Sequence, residues 1–376
     1  MTTRWWLHVF SSALMLGADS LLAQANLFTT HDGVKFRVET VLTGLEIPWS
    51  LVFDEKGDLF FTERPGRLQV LRKGETEPAL VAEISDAVHR GEGGLMGLAF
   101  HPEYTKNGLI YLSFTAYVEG DLGNKVVRFK MVDNKLTERL DIVPGLPGGS
   151  VHNGCRIRFG ADGKLYISTG DAADREIAQD KKSLGGKILR LNDDGTIPAD
   201  NPIPGSQVYA IGLRNPQGFD WHPVAGLLFE TEHGPSGFDG PGGGDEVNII
   251  EPGKNYGWPE IHHRMKRTGM ESPLLEYSPA VAPASGMFYR ESVFPLFKNN
   301  FFFGCLRGQK IQRIILEDGN PRKVSHEESL VEAEFKRIRD ITQGPDGYIY
   351  FSTSNRDGRA RAFENDDRIM RIVPVQ

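Results

Sequence analysis

The stretch "GADGKLYISTGD", residues 160–171, packs a turn, a strand and a polar end into one short segment. Asp162-Gly163 supplies the turn, because Asp and Gly adopt the backbone conformations that tight turns require. Leu165, Tyr166 and Ile167 are aromatic or branched, which suits a pleated strand. The same shape recurs as "DEKGDLFFTER" (54–64), "TKNGLIYLSF" (105–114), "PVAGLLFETEHG" (223–234) and "GPDGYIYFSTSN" (344–355), with "FKNNFFFGCLRG" (297–308) as a looser sixth. The turn residues lie roughly 50 to 75 positions apart, the length of one four-stranded blade with variable loops. Helical periodicity is nearly absent; its best candidate, near 176–188, is short. Together these point to an all-β fold, a six-bladed β-propeller with four-stranded antiparallel blades. A β-sandwich with insertions is the rival shape. Propeller loops gather at one face of the central channel, so the polar strand ends mark where functional loops start. These ends are Glu63-Arg64, Thr169-Gly170-Asp171, Glu232-His233-Gly234, Arg307-Gly308 and Asn355-Arg356.

The 376 residues carry a formal net charge of −7, and no long basic block interrupts them. That excludes nucleic acid and anionic membrane surfaces as partners. Residues 1–25 read as a signal peptide: Arg4, an apolar run and the small-residue pattern Ala23-Gln24-Ala25. The expectation is a single catalytic propeller over 26–376, periplasmic or secreted and without membrane insertion. Export permits a bond between the only two cysteines, Cys155 and Cys305, but two separate buried thiols are the expectation.

Chemistry-bearing residues sit in few places. "SVHNGCRIRFG" (150–160) puts His152 just ahead of an alternating strand, where an imidazole can act as a base near neutral pH. "GLRNPQGFDWHP" (212–223) offers Arg214 and Asn215, a guanidinium fork and an amide suited to planar, oxygen-rich anions. Arg337 and Arg339 are two apart on a presumed strand and face one way, so they need an anion between them or an acid beside them; Asp340 is one candidate acid. Arg307 adds a further cation. The glycine-rich run 231–259 lacks the spacing of a phosphate-binding loop, but its turn carbonyls and Asp245-Glu246 are the hard oxygens Ca²⁺ prefers.

Six blocks carry a resemblance: "GEGGLMGLAFHPEY", "HNGCRIRFGADGKLYISTGD", "GGKILRLNDDGTIPADNP", "IGLRNPQG", "EHGP…GDEVNIIEPGKNYGWP" and "RIRDITQGPDGYIY". In this order they resemble the soluble aldose sugar dehydrogenases that use pyrroloquinoline quinone (PQQ), the glucose/sorbosone dehydrogenase family of six-bladed propellers. The resemblance spans roughly 38–375. It implies that His152 is the catalytic base and that Arg214, Asn215, Arg337 and Arg339 contact the cofactor. It implies that the Gly234-Pro235 carbonyls hold a Ca²⁺ touching the quinone, and that Glu246 and the Tyr256 carbonyl hold a second, structural Ca²⁺. Glu92 stands where some members have a glutamine against the cofactor. Three departures are visible. Arg307 replaces a lysine, Val151 replaces an acid, and Ser278 replaces an aromatic over the quinone.

The implied reaction is oxidation of an aldose at its anomeric carbon to a lactone. His152 takes the hydroxyl proton and the quinone takes the hydride. The implied partners are an aldose and an electron acceptor that no motif identifies, with the chain a monomer or homodimer. The rival readings are a calcium-dependent propeller hydrolase of the lactonase kind, and a propeller that binds a partner without chemistry. The cationic strand ends favour an anionic cofactor over the carboxylate-ringed metal that a hydrolase needs.

Overall fold

A computed structural model describes residues 27–375. The expected signal peptide lies outside them. The six recurring segments each form the second strand of an antiparallel sheet, four-stranded in five blades and five-stranded in the sixth, beginning with Leu59–Glu63 and ending with Ile349–Thr353. Six such sheets stand in a ring, so the chain is a six-bladed β-propeller. The sixth blade takes its outer strands, Leu27–Thr29 and Lys35–Leu42, from the start of the described chain. Residues Phe36 to Leu42 pair with Ile369–Pro374, which closes the ring between distant parts of the sequence.

The second strands show why aromatic and branched residues recur on both strand faces. Each is sandwiched between two neighbouring blades, and Leu59–Glu63, Leu165–Thr169 and Ile349–Thr353 are buried at every residue. The hydrophobic core is accordingly six wedges, one between each adjacent pair of blades. Phe60 and Leu68 of blade one meet Leu112 and Phe114 of blade two. Met287 and Phe302 of blade five meet Ile341 and Phe351 of blade six. Outer strands such as Ala79–Glu83 are largely exposed, because nothing covers the rim.

The helical candidate near 176–188 forms only a short 3-10 turn, Arg175–Ala178, before the strand Lys187–Leu191. Gly185 and Gly186 end any helix there, and the strand register of blade three takes over. Cys155 and Cys305 are separate buried thiols, and burial pushes both well above the usual thiol range. Among the described residues no helix is long and apolar enough to cross a membrane.

Candidate active site

All six innermost strands start at the same mouth of the ring: Pro48, Leu95, Gly154, Pro216, Pro283 and Ile338 are their first residues. Each shows a register break within its first few pairs. A bulge bends the strand and re-aims a side chain. Trp49, Met96, Gln217 and Arg339, each second in its strand, thereby line one cavity of about 310 Å³. The loops leaving the second strands add Arg64, His233, Gly234, Pro235 and Arg307.

Five guanidiniums line this cavity: Arg64, Arg307, Arg337, Arg339 and Arg359. Two are paired. Arg337 sits 2.7 Å from Asp357, and Arg359 sits 2.7 Å from Glu92. Arg64 and Arg339 are buried, and the Nε of each has no hydrogen-bond partner among the described residues. Arg64 spends one ω-nitrogen on the Gly91 carbonyl and the His89 ring. Arg339 donates to Gln217 Oε1 at 2.8 Å. Burial first, and the nearby Arg64 second, pull the pKa of Arg339 down to about 9. Buried cations without partners are costly, and a multiply charged anion is the species that relieves them. Glu92 stays ionised. Burial raises it, but the Arg359 guanidinium and the His152 main-chain N–H hold it below the usual carboxylate range.

His152 adopts a left-handed backbone conformation, φ 54°, ahead of the third blade's inner strand. Its main-chain N–H donates to Glu92 Oε2 at 3.1 Å. Its Nδ1 lies 2.7 Å from Asp171 Oδ1. The other Asp171 oxygen accepts from the Trp258 indole at 2.8 Å. A buried carboxylate facing Nδ1 places the hydrogen there and leaves Nε2 as the proton acceptor. Beside it, His233 points Nε2 at the Pro283 carbonyl, 2.9 Å away, and burial lowers its pKa to about 3, so it is neutral. An anion cradle therefore lies beside the His152 imidazole, which is oriented but does not itself line the cavity.

The Glucose / Sorbosone dehydrogenase family matches residues 45–363. The chain belongs to that family. It is 30% identical over 347 residues to the Escherichia coli aldose sugar dehydrogenase YliI, covering 85% of this chain and 91% of the relative. It superposes with a TM-score of 0.80 on the PQQ-bound aldose sugar dehydrogenase of Streptomyces coelicolor, at 33% identity, over 90% of this chain and 98% of that one. The E. coli soluble aldose sugar dehydrogenase in its apo form gives a TM-score of 0.79 at 29% identity, over 90% of this chain and 100% of that one.

Among the residues named from the sequence, this glucose/sorbosone dehydrogenase-family chain places Glu92, Gly234, Pro235, Arg307, Arg337 and Arg339 around the cavity. Arg214 and Asn215 do not line it. The Arg214 guanidinium bonds Asp239 at 2.7 Å, Ser236 at 3.0 Å and the His233 carbonyl at 3.1 Å. Asn215 holds the inner strands together, accepting from the Gly154 N–H and the Gln217 amide, while its own Nδ2 has no partner among the described residues. Asp340 is not the partner of the arginine pair. It follows Arg339 on the strand, so it points to the other side and meets Arg156 at 3.1 Å.

The donor sets fit the groups the family implies. For PQQ, a tricarboxylate, the cavity offers buried guanidiniums with unsatisfied nitrogens. For an inner calcium the chain would offer the Gly234 and Pro235 main-chain oxygens, while Asp245 accepts from the N–H groups of Gly234, Val281 and Ala282. For the outer calcium, Glu246 and Tyr256 share one narrow cleft with Glu232. Among the described residues no three His, Cys, Asp or Glu side chains form a ready metal cluster. Yet Glu232 stands directly opposite Glu246 in the strand pairing. Glu230, Glu232 and Glu246 all accept from the single Asn248 amide at 3.2 Å. Like charges opposite one another in a buried sheet are unfavourable, and one amide does not offset them, so this donor chemistry suits a cation.

Sequence reasoning missed Asp171, Trp49, Arg64 and Phe238 as parts of the site. The strand-end pattern contained Arg64 and Asp171, but nothing there told a hinge residue from a ligand. Trp49 and Phe238 carried no local signal.

Proposed function

We propose that this chain is a PQQ- and calcium-dependent aldose dehydrogenase that oxidises a sugar at its anomeric carbon to a lactone. One observation carries the reading. An acidic protein gathers five guanidiniums around a single cavity, two of them buried with an unsatisfied Nε, beside a histidine oriented by a carboxylate.

PQQ, when bound, supplies the two-electron acceptor. The chain supplies the rest. Arg64, Arg307 and Arg339 balance the charge of a tricarboxylate, and Arg337 and Arg359 add forks whose acids are already in place. His152 Nε2 takes the proton of the anomeric hydroxyl, and Asp171 stabilises the imidazolium that results. The Gly234 and Pro235 carbonyls would hold the inner calcium against the cofactor. Glu246 and the Tyr256 carbonyl would hold the outer one and neutralise the buried carboxylates. The leader over 1–25 would send the protein to the periplasm or outside the cell. The electrons pass to an acceptor of another class.

Purified apoprotein is titrated with PQQ, with and without Ca²⁺, and then assayed for dye reduction on a panel of aldoses. Activity that requires both additions supports the reading. Absence of quinone binding removes it and returns the hydrolase and binding-module readings.

A further inference from the structure

His152 is only 4% exposed and is not part of the cavity wall, although its neighbours Asn153 and Gly154 are. A base must be reached by its substrate, and the ring that faces the His152 imidazole is that of Phe238. Its ring stacks on the His152 ring at 6.1 Å between centroids and an interplanar angle of 22°. Phe238 is itself 69% exposed, so it is open to solvent on its far side.

The loop that carries Phe238 is built to hold it there. Its two legs touch: a Cβ at Gly234 would lie 2.2 Å from the Gly244 carbonyl, so only glycine permits the approach. The Pro235 carbonyl accepts from the Gly243 N–H at 3.2 Å, and Ser278 Oγ accepts from the Gly244 N–H at 2.9 Å. Arg214 then grips the tip on both sides of Phe238, through Ser236 and through Asp239. Ser278 offers only a hydroxyl at this mouth, so the aromatic surface beside the base comes from Phe238.

We propose that Phe238 is a specificity-determining residue: it screens His152 and admits small aldoses to the base more readily than bulky ones, and Arg214–Asp239 is the anchor that fixes its position. The inference rests on the dehydrogenase reading for its substrate class, but the screen itself is a property of the chain alone. A pocket contact of this kind discriminates between ligands by about 10- to 200-fold.

Two readouts test it in the full-length mature protein. Apoprotein is treated with diethyl pyrocarbonate, and ethoxycarbonylation of the His152 peptide is followed by mass spectrometry. Phe238→Ala and Asp239→Asn are each expected to speed His152 modification by about ten-fold, the first by removing the ring and the second by releasing it. Phe363→Ala, which trims another exposed aromatic, is the control and leaves the rate unchanged. In PQQ-loaded protein, Phe238→Ala is expected to raise the kcat/KM ratio of maltose to glucose by about ten-fold, with PQQ affinity unchanged. Unchanged His152 reactivity in both variants overturns the screen. Faster modification with an unchanged sugar ratio overturns the specificity role. Wild-type protein that binds no quinone contradicts the proposed function, while the modification rates still support or overturn the screen.

Discussion

The channel has two mouths made from the two ends of the same six inner strands. At the bulged end the cavity is about 310 Å³ and holds arginines with unsatisfied nitrogens. At the other end the cavity is larger, about 620 Å³, and its wall is mainly apolar: Phe53, Phe100, Phe159, Trp221 and Met287. Charge is present there too, but each cation sits beside an acid: Arg156, although its Nη2 also lacks a hydrogen-bond partner among the described residues, lies 3.1 Å from Asp340. Arg290 grips Asp220 with two bonds of 2.8 and 2.9 Å, and Arg158 lies 3.5 Å from the same acid. Trp49, in the wall of the first cavity, has cations of both mouths against its ring, Arg156 at 4.2 Å and Arg339 at 5.6 Å from the ring centre. Cavity size therefore does not locate the site. Unpaired charge does, because paired guanidiniums have no remaining demand for an anion.

That contrast can be broken or sharpened by experiment. The largest effect is expected at His152. His152→Ala should cut sugar turnover by about 10²- to 10⁴-fold while PQQ still binds; turnover that survives places the base elsewhere. Next comes the comparison of the mouths themselves. Arg339→Met should weaken PQQ binding by about 10- to 100-fold in calorimetry, the loss of one charge-assisted contact. Arg290→Met at the far mouth should leave that affinity unchanged, and equal losses in both variants would erase the distinction. A smaller effect concerns the buried carboxylates. Saturating Ca²⁺ should raise the melting temperature of the apoprotein by roughly 3–4 °C, from a stabilisation of about 2–3 kcal/mol. Glu246→Gln should abolish most of that rise, and an undiminished rise would move the calcium site away from Glu246. The smallest effect is the stability cost of Arg290→Met, about 1 kcal/mol, because the pair is partly exposed. Thermal melts would read it as a shift of about 1–2 °C.

The fold was legible because its unit repeats. Each second strand needs apolar residues on both faces, and each preceding turn needs Gly or Asn, so "GADGKLYISTGD" and its five counterparts announce a blade apiece. Ring closure by Lys35–Leu42 was not legible, since it pairs segments from opposite ends of the chain. Much of the cavity wall was legible from its charges and from the family likeness: Glu92, Arg307, Arg337 and Arg339 meet there. What escaped, besides Trp49 and Phe238, were mainly partners. Strand alternation turns Asp340 away from Arg339, and Asp357, twenty residues beyond Arg337, reaches back across a loop to take its place. Arg214 looked like a free fork for a cofactor, but Asp239 of the glycine-rich loop holds it. Asp171 was visible as a polar strand end, yet its bond to His152 depends on how the loop before one strand of blade three meets the end of the next. Long-range pairing of this kind is set by packing, and local composition does not encode it.

The most direct test of the central claim is an equilibrium titration of the apoprotein with PQQ, set beside the same titration with its trimethyl ester. The account predicts tight binding of the acid and much weaker binding of the ester, because unpaired guanidiniums at the bulged mouth are what the ligand satisfies. Equal affinity for acid and ester, or no binding of either, would contradict it.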